Sequence, residues 1–549
     1  ARRQVCYSGS GTPYAKLIPM TRENGFIPKD GLIVLAVGAL LLALVLYAAN
    51  LWLGNLNQDE GWYLYAALEN AAGRLPYRDF FFSQGPLMPR VYGLLAPLWA
   101  PAGVAGGRAL TALFGLCGAL LAGWLAARGA PRGRWLACGI TAFLLTGCNV
   151  YHSYFTTIPK TYALASLLLL AGLAALWNPD QLRAAWRAAL GGLLLAGAAC
   201  TRLSLGIALP VAGLYLLFYA RRWRWVWFAF GLGSLAGLAL LLGPPLLHAR
   251  DAFLFSNFFH TSRGTEGLLF AAGSVSRLLR HYLPLAALVL ATLALFGCRE
   301  RATRAPDDTE APPPPGLTLA LSVFVAVFVV HLLSPFPYDD YQVPIMPLLA
   351  IVTATLFWRV LPVGGNGAAE WRRQCVLVAV LLVWAALGAG TSTLNEEWMI
   401  VGKDRLWIIR KEQPDLALLR TTARKIAAQV PPDKPLLTQD TYLAVEAGRR
   451  VPPGFEMGPF SYFPELDDAD AARYNVLNER RMREALAAGE APVIALSGYG
   501  LALAAPVMTP VPEEQVAAFL EIIGRGYRLD RTIEHFGQAH TPLRIWIRK

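Results

Sequence analysis

Charge is what this chain has least of. Only 16% of its 549 residues are Asp, Glu, Lys or Arg, against roughly a quarter in ordinary soluble domains, while 55% are hydrophobic and the mean hydropathy is +0.41. That balance excludes a soluble globular enzyme. Cysteine is scarce too: there are seven, an odd number, none follows Cys375, and all but Cys6 lie in or beside apolar runs. A disulfide framework and a cysteine-based metal site are therefore not implied. Lysine occurs only eight times. From about residue 395 onward no Gly-rich phosphate loop sits between a strand and a helix, and no metal-ligand spacing is present. The sequence opens on Ala1, and residues 1–19 lack the apolar periodicity of the rest. Met20, heading MTRENGFIPKD, reads as a natural start, with a tag or start-site artefact before it.

The formal charge of +12 would suit nucleic acid if it lay on one surface. It does not. From residue 395 onward there are 21 acidic and 20 basic residues, so the excess belongs to the first 394, with 29 basic against 16 acidic. The basic excess therefore belongs to the apolar part, and no nucleic-acid partner is expected.

A bilayer core takes about 20 apolar residues per helix. Eleven candidate spans follow: 32–53, 109–127, 135–150, 162–176, 188–200, 205–220, 226–247, 282–297, 317–333, 343–360 and 376–390. A further apolar stretch, 85–104, contains Pro86, Arg90, Pro97 and Pro101. Reading it as juxtamembrane or re-entrant puts the Arg128, Arg183, Arg221, Arg299 and Arg372 clusters on one side with Lys29 and the N-terminus. The positive-inside rule makes that side cytoplasmic. The expected architecture is a polytopic α-helical membrane protein of about 11 transmembrane helices plus juxtamembrane helices, with a C-terminal α/β soluble domain. Its divisions are a cytoplasmic segment 1–30, a membrane domain 31–393, and an extracytoplasmic domain 394–549. Within the membrane domain the first outer loop is 54–84, the juxtamembrane stretch 85–105, and a long outer loop 248–281. The tail reads as helix 414–429, strand 435–439, helix 469–488, strand 492–496, helix 513–523 and closing strands 527–549. Residues 299–316, with Pro312 to Pro315, form a polar linker.

The outer segments hold most of the acids and every histidine but His331. Asp59 and Glu60 follow the first span and open an amphipathic helix. A first-turn acid complements the helix dipole. The same carboxylate at the mouth of a membrane cavity is also placed to serve as a general base for an acceptor hydroxyl.

The run Asp59-Glu60-Gly61 with Tyr63 and Tyr65, then Gly73-Arg74-Leu75-Pro76-Tyr77-Arg78-Asp79, then Gln84-Gly85-Pro86-Leu87, resembles the first outer loop of the GT-C glycosyltransferases. Within that superfamily it is most similar to the protein O-mannosyltransferase-like and lipid A aminoarabinose transferase-like branch. The resemblance implies a cell-envelope glycosyltransferase of the cytoplasmic (inner) membrane, using a polyprenyl-phosphate sugar as donor and transferring with inversion on the extracytoplasmic face. By position it implies Asp59 as the base, with Glu60 orienting it or helping to hold a cation.

A departing lipid phosphate needs cations. Lys160, in Thr157-Ile-Pro-Lys-Thr-Tyr162, and Arg202, between two short spans, sit at the outer face. Snorkelling to headgroups is the competing reading. In the long loop His260 and Arg263 are the preferred phosphate contacts, and Arg90 faces either lipid phosphate or headgroups. Asp339, Asp340 and Tyr341 stand where members of the family this chain resembles often carry a polar or His-Tyr pair. They and Tyr63 are assigned to acceptor or donor sugar, with helix capping ahead of Val343 as the alternative. Mg²⁺ or Mn²⁺ is a possible cofactor on scattered oxygen ligands. The expected partners are the polyprenyl-phosphate sugar lipid, a glycan, lipid or protein acceptor, and membrane lipids. The alternatives are a lipid-linked sugar transporter or flippase, which would carry midplane ionisable groups and repeated halves, or a non-catalytic subunit of a membrane complex.

Overall fold

The computed structural model describes residues 28–178, 185–220, 224–259, 266–302, 313–362, 367–391, 413–498, 501, 511–538 and 540–549. The expected segment 1–30 lies almost wholly outside them, as do the boundary near 394, His260 and Arg263.

Apolar segments become helices because hydrocarbon offers no partner for backbone N–H and C=O, so each segment must pair its own. The first is α1 (Pro28–Leu53), followed by α2 (Gln58–Ala71), α3 (Leu87–Leu94), α4 (Ala96–Trp99), α5 (Gly103–Gly129), α6 (Trp135–Gly147), α7 (Val150–Phe155), α8 (Thr161–Leu176) and α9 (Ala185–Thr201). Then come α10 (Ala208–Tyr219), α11 (Arg224–His248), α12 (Arg250–Leu254), α13 (Leu268–His281), α14 (Leu283–Ala302), α15 (Pro315–Leu332), α16 (Met346–Val360) and α17 (Gly367–Thr391).

Among the described residues six helical stretches are long and apolar enough to cross a membrane, and a seventh if α13 and α14, bent by 89°, count as one. Four shorter apolar helices, α6, α8, α9 and the stretch Leu203–Tyr219, accompany them. The eleven sequence segments thus fall into two kinds. Long helices such as α1 present Val34, Val37 and Leu41 outward. Short ones such as α8 are buried along most of their length, and burial supplies what length does not.

The stretch 85–104 is broken into α3, α4 and a turn at Ala100–Ala102, with Pro97 and Pro101 at the breaks. Leu94 and Leu98 project outward, 81% and 77% exposed, while by length and composition α4, the turn and α5 read as one apolar stretch, Ala96–Gly129.

The C-terminal part comprises α18 (Asp415–Ala427), β1 (Leu436–Thr438), α19 (Thr441–Ala447), α20 (Asp468–Arg473), α21 (Glu479–Ala487), β2 (Val493–Leu496), α22 (Glu513–Gly526), β3 (Tyr527–Phe536) and β4 (Thr541–Arg548). The sheet order is β1-β2-β4-β3, with β1 parallel to β2 and the other pairs antiparallel. The single helix expected over 469–488 is two, because Asn475 adopts φ +57° and its amide donates to the Tyr77 and Arg78 carbonyls of the first outer loop. The apolar core of this part is continuous with that loop: Trp62, Tyr65, Phe80 and Phe81 share one cluster with Tyr442, Phe455 and Ile494. Gly61 is required at the contact, since a Cβ there would collide with the Tyr442 backbone N.

Candidate functional site

The site begins where α1 hands over to α2. Asn57 caps α2: its side chain accepts from Asp59 N–H at 3.0 Å, and Glu60 Oε1 accepts from Asn57 N–H at 2.8 Å. This is the reciprocal arrangement of a capping box. Glu60 then turns inward to Arg108 of α5. Arg108 Nε and Nη2 each donate to the Glu60 carboxylate at 2.7 Å, and the remaining N–H groups reach the Leu51, Gly54 and Asn55 carbonyls at 2.9–3.0 Å. Both side chains are fully buried. The pair fixes the path of residues 51–60, and it leaves Asp59 pointing the other way.

Asp59 meets Lys160, from the turn before α8, at 2.9 Å. Lys160 Nζ also lies 3.0 Å from Asp340 Oδ2, so one ammonium bridges two carboxylates contributed by residues far apart in the chain. Tyr162 donates to the same Asp340 oxygen at 3.0 Å. Burial pulls the Lys160 pKa down, but Asp59 and Asp340 outweigh it and hold the ammonium well above the ordinary lysine value. Arg202, 8% exposed, is held between the rings of Tyr162 and Tyr341, its guanidinium carbon 5.0 and 4.5 Å from their centroids. Its Nε is buried without an acceptor. Tyr63 is buried beside this group and contacts Phe82 edge to face.

Asp339 forms an adjoining cluster. It accepts from Tyr151 at 2.6 Å and from Arg277 Nε at 3.1 Å, with His281 Nε2 at 3.6 Å and stacked on Tyr151. The structure therefore brings together Asp59, Lys160, Arg202, Asp340, Tyr341 and Tyr63, with Asp339 next to them. Glu60 is bound into the Arg108 pair instead. Arg90 lies apart, donating to the Leu240 carbonyl at 3.3 Å.

Arg108, Tyr162 and Tyr151 are participants that the sequence reading did not single out. For Arg108 a signal existed: an ionisable residue heading an apolar run needs a partner. Tyr162 and Tyr151 gave none, because tyrosines are common at membrane interfaces.

A divalent cation does not fit these residues. Among the described residues no three His, Cys, Asp or Glu side chains converge. Arg108 occupies Glu60, and the Lys160 ammonium stands between Asp59 and Asp340 where a bridging cation would have to sit.

In fold the chain is similar to the GT-C glycosyltransferases, the class that the first-loop residues resemble. Among solved structures the chain is similar to ArnT from Cupriavidus metallidurans in the apo state, with a TM-score of 0.59 at 18% identity over 95% of this chain and 98% of that one. It is similar also to the same protein bound to undecaprenyl phosphate, with a TM-score of 0.57 at 17% identity over 94% and 98%. No protein-family model and no curated protein matches the chain.

Proposed function

We propose that the chain is a membrane glycosyltransferase that takes a sugar from a polyprenyl-phosphate donor and passes it, with inversion, to an acceptor hydroxyl on the extracytoplasmic face. The observation that carries this reading is Arg202: a buried guanidinium held by two tyrosine rings, its Nε without an acceptor, beside the Lys160–Asp59 pair. Burying a cation without a carboxylate partner is costly, and a phosphate is the group that repays it with charge-assisted hydrogen bonds. The likeness in fold to ArnT, which has been crystallised with undecaprenyl phosphate, supports a lipid phosphate as that group.

In this reading the acceptor oxygen attacks the anomeric carbon as the bond from that carbon to the phosphate oxygen breaks. The electron pair leaves with the polyprenyl phosphate, whose charge is met by Arg202 and Lys160. Asp59 takes the acceptor's proton. In the structure the Asp59 carboxylate is engaged by the Lys160 ammonium at 2.9 Å. A phosphate arriving at Arg202 competes for Lys160 and frees Asp59, so donor binding prepares the base. Tyr63, Asp339, Asp340 and Tyr341 border the space for the sugar and acceptor, while Arg90, His260 and Arg263 are assigned to the donor phosphate or its approach. The transferred sugar is a hexose or a pentose. The protein would sit in the cytoplasmic membrane with about 11 spans, its N-terminus cytoplasmic and residues 394–549 outside, on the distribution of arginines.

Asp59→Asn tests this. It should leave folding intact and abolish transfer from a polyprenyl-phosphate sugar in liposomes; retained turnover would sink the base assignment. Counterflow of the lipid-linked sugar without glycosylated product would point to a transporter instead.

A further inference from the structure

The segment carrying Asp59 is held from two sides. From the membrane side Arg108 ties residues 51–60 together. From the other side the C-terminal part reaches over it at three points. Asp415 accepts from Leu56 N–H at 3.3 Å, His540 Nε2 lies 3.2 Å from Asn55 Nδ2, and Gln538 Oε1 accepts from Gln58 N–H at 2.7 Å. The last is the shortest and falls immediately before Asp59. Helix N-termini leave their first N–H groups without intrahelical partners. In α2 the Asp59 N–H is met by Asn57 and the Gln58 N–H by a side chain 480 residues away.

Gln538 sits in the turn after β3, and that turn is itself braced. Gly537 has φ +70°, a conformation open to glycine, and a Cβ there would run into the Tyr442 hydroxyl. Tyr442 in turn donates to Asp440 at 2.6 Å. The hairpin turn is thus a fixed object pressed on the first turn of α2.

We propose that Gln538 is a positioning residue for Asp59: by holding the first N–H of α2 it sets the direction of the adjacent carboxylate toward Lys160 and the reacting hydroxyl. This rests on the reading of Asp59 as base. It gives the C-terminal part a role in the chemical step, because the element that aims the base is not in the membrane bundle.

The test uses the full-length protein in liposomes with saturating acceptor. In Gln538→Leu the N–H loses its acceptor. kcat should fall about tenfold or more, since small misplacements of a reacting group carry costs of that order, while the donor KM stays unchanged because Gln538 touches neither Lys160 nor Arg202. In Gln538→Glu the acceptor is kept and a negative charge is added within the first turn of α2. kcat at high pH should recover, and the acid limb of the pH–rate profile should move up by about 0.5–1 unit. Wild-type kcat in Gln538→Leu would overturn the role, as would a loss in Gln538→Leu that follows thermal stability alone and is not recovered by Glu. Should Gln538→Leu fail to fold, Gln538→Glu decides by its acid limb. Turnover in Asp59→Asn would overturn the base reading itself, whereas an inactive Asp59→Asn beside an unaffected Gln538→Leu would overturn only the role of Gln538.

Discussion

Arg108 and Arg202 are both buried, and they are buried in opposite ways. Every N–H of Arg108 is used, two on the Glu60 carboxylate and three on the Leu51, Gly54 and Asn55 carbonyls. Arg202 has ring faces on either side and an Nε with no acceptor. A satisfied buried charge is architecture: its partners are permanent, and nothing else can bind it. A buried charge held by π faces keeps its hydrogen-bonding capacity in reserve, at a cost in stability that an incoming anion offsets. In the proposed function the same residue type, 94 residues apart in the chain, thus separates the frame of the site from the surface that would take the phosphate.

The largest effect is expected at Arg108. Arg108→Met strands the Glu60 carboxylate in the interior and should destabilise the protein by about 3–5 kcal/mol, the cost of an unpaired buried charge, read as a large fall in the detergent-solubilised melting temperature. The double variant Glu60→Leu with Arg108→Met should recover most of that loss. If Arg108→Met melted like the wild type, the pair would not be the frame.

Arg202 should answer differently. Arg202→Lys keeps the charge but loses the planar stack between Tyr162 and Tyr341, so the donor KM should rise by about tenfold with the melting temperature unchanged within error. A fall in stability as large as that of Arg108→Met would erase the distinction.

The smallest effect concerns the C-terminal part that presses on the site. Burial raises the Glu456 carboxyl from 4.5 to about 7 and the Asp440 carboxyl from 3.8 to about 6. Because both folded-state values lie above the unfolded ones, the folded form binds more protons between these limits. Their contribution to stability is full below about pH 4 and is lost as pH rises through about 6 to 7. The melting temperature should fall by a few degrees, about 2–4 °C, over that window, and Glu456→Gln should flatten part of the slope. A melting temperature that rose with pH would contradict it.

Much of the site was legible because charge is rare here. Asp59, Lys160, Arg202 and Asp340 each stand out at the end of an apolar run, and the fold brings all four together. What joins them was not legible. Lys160 and Asp340 are separated by 180 residues, and Gln58 and Gln538 by 480, so only the closed bundle and the docked sheet bring them into contact. Glu60 looked like a partner in chemistry because it neighbours Asp59 in sequence. Successive residues on a helix point about 100° apart, so one meets Lys160 while the other meets Arg108. The break at Asn475 was hidden for a similar reason: its left-handed backbone is held by carbonyls of the first outer loop, which no local pattern announces.

In the proposed function Arg202 is held ready for a lipid phosphate. Binding of undecaprenyl phosphate to the purified protein and to Arg202→Met, measured by native mass spectrometry in matched detergent alongside melting temperature, addresses it directly. Arg202→Met should melt at or above the wild-type temperature and bind about a hundredfold more weakly, the scale of a lost charge-assisted contact. Unchanged affinity in a folded Arg202→Met would contradict it.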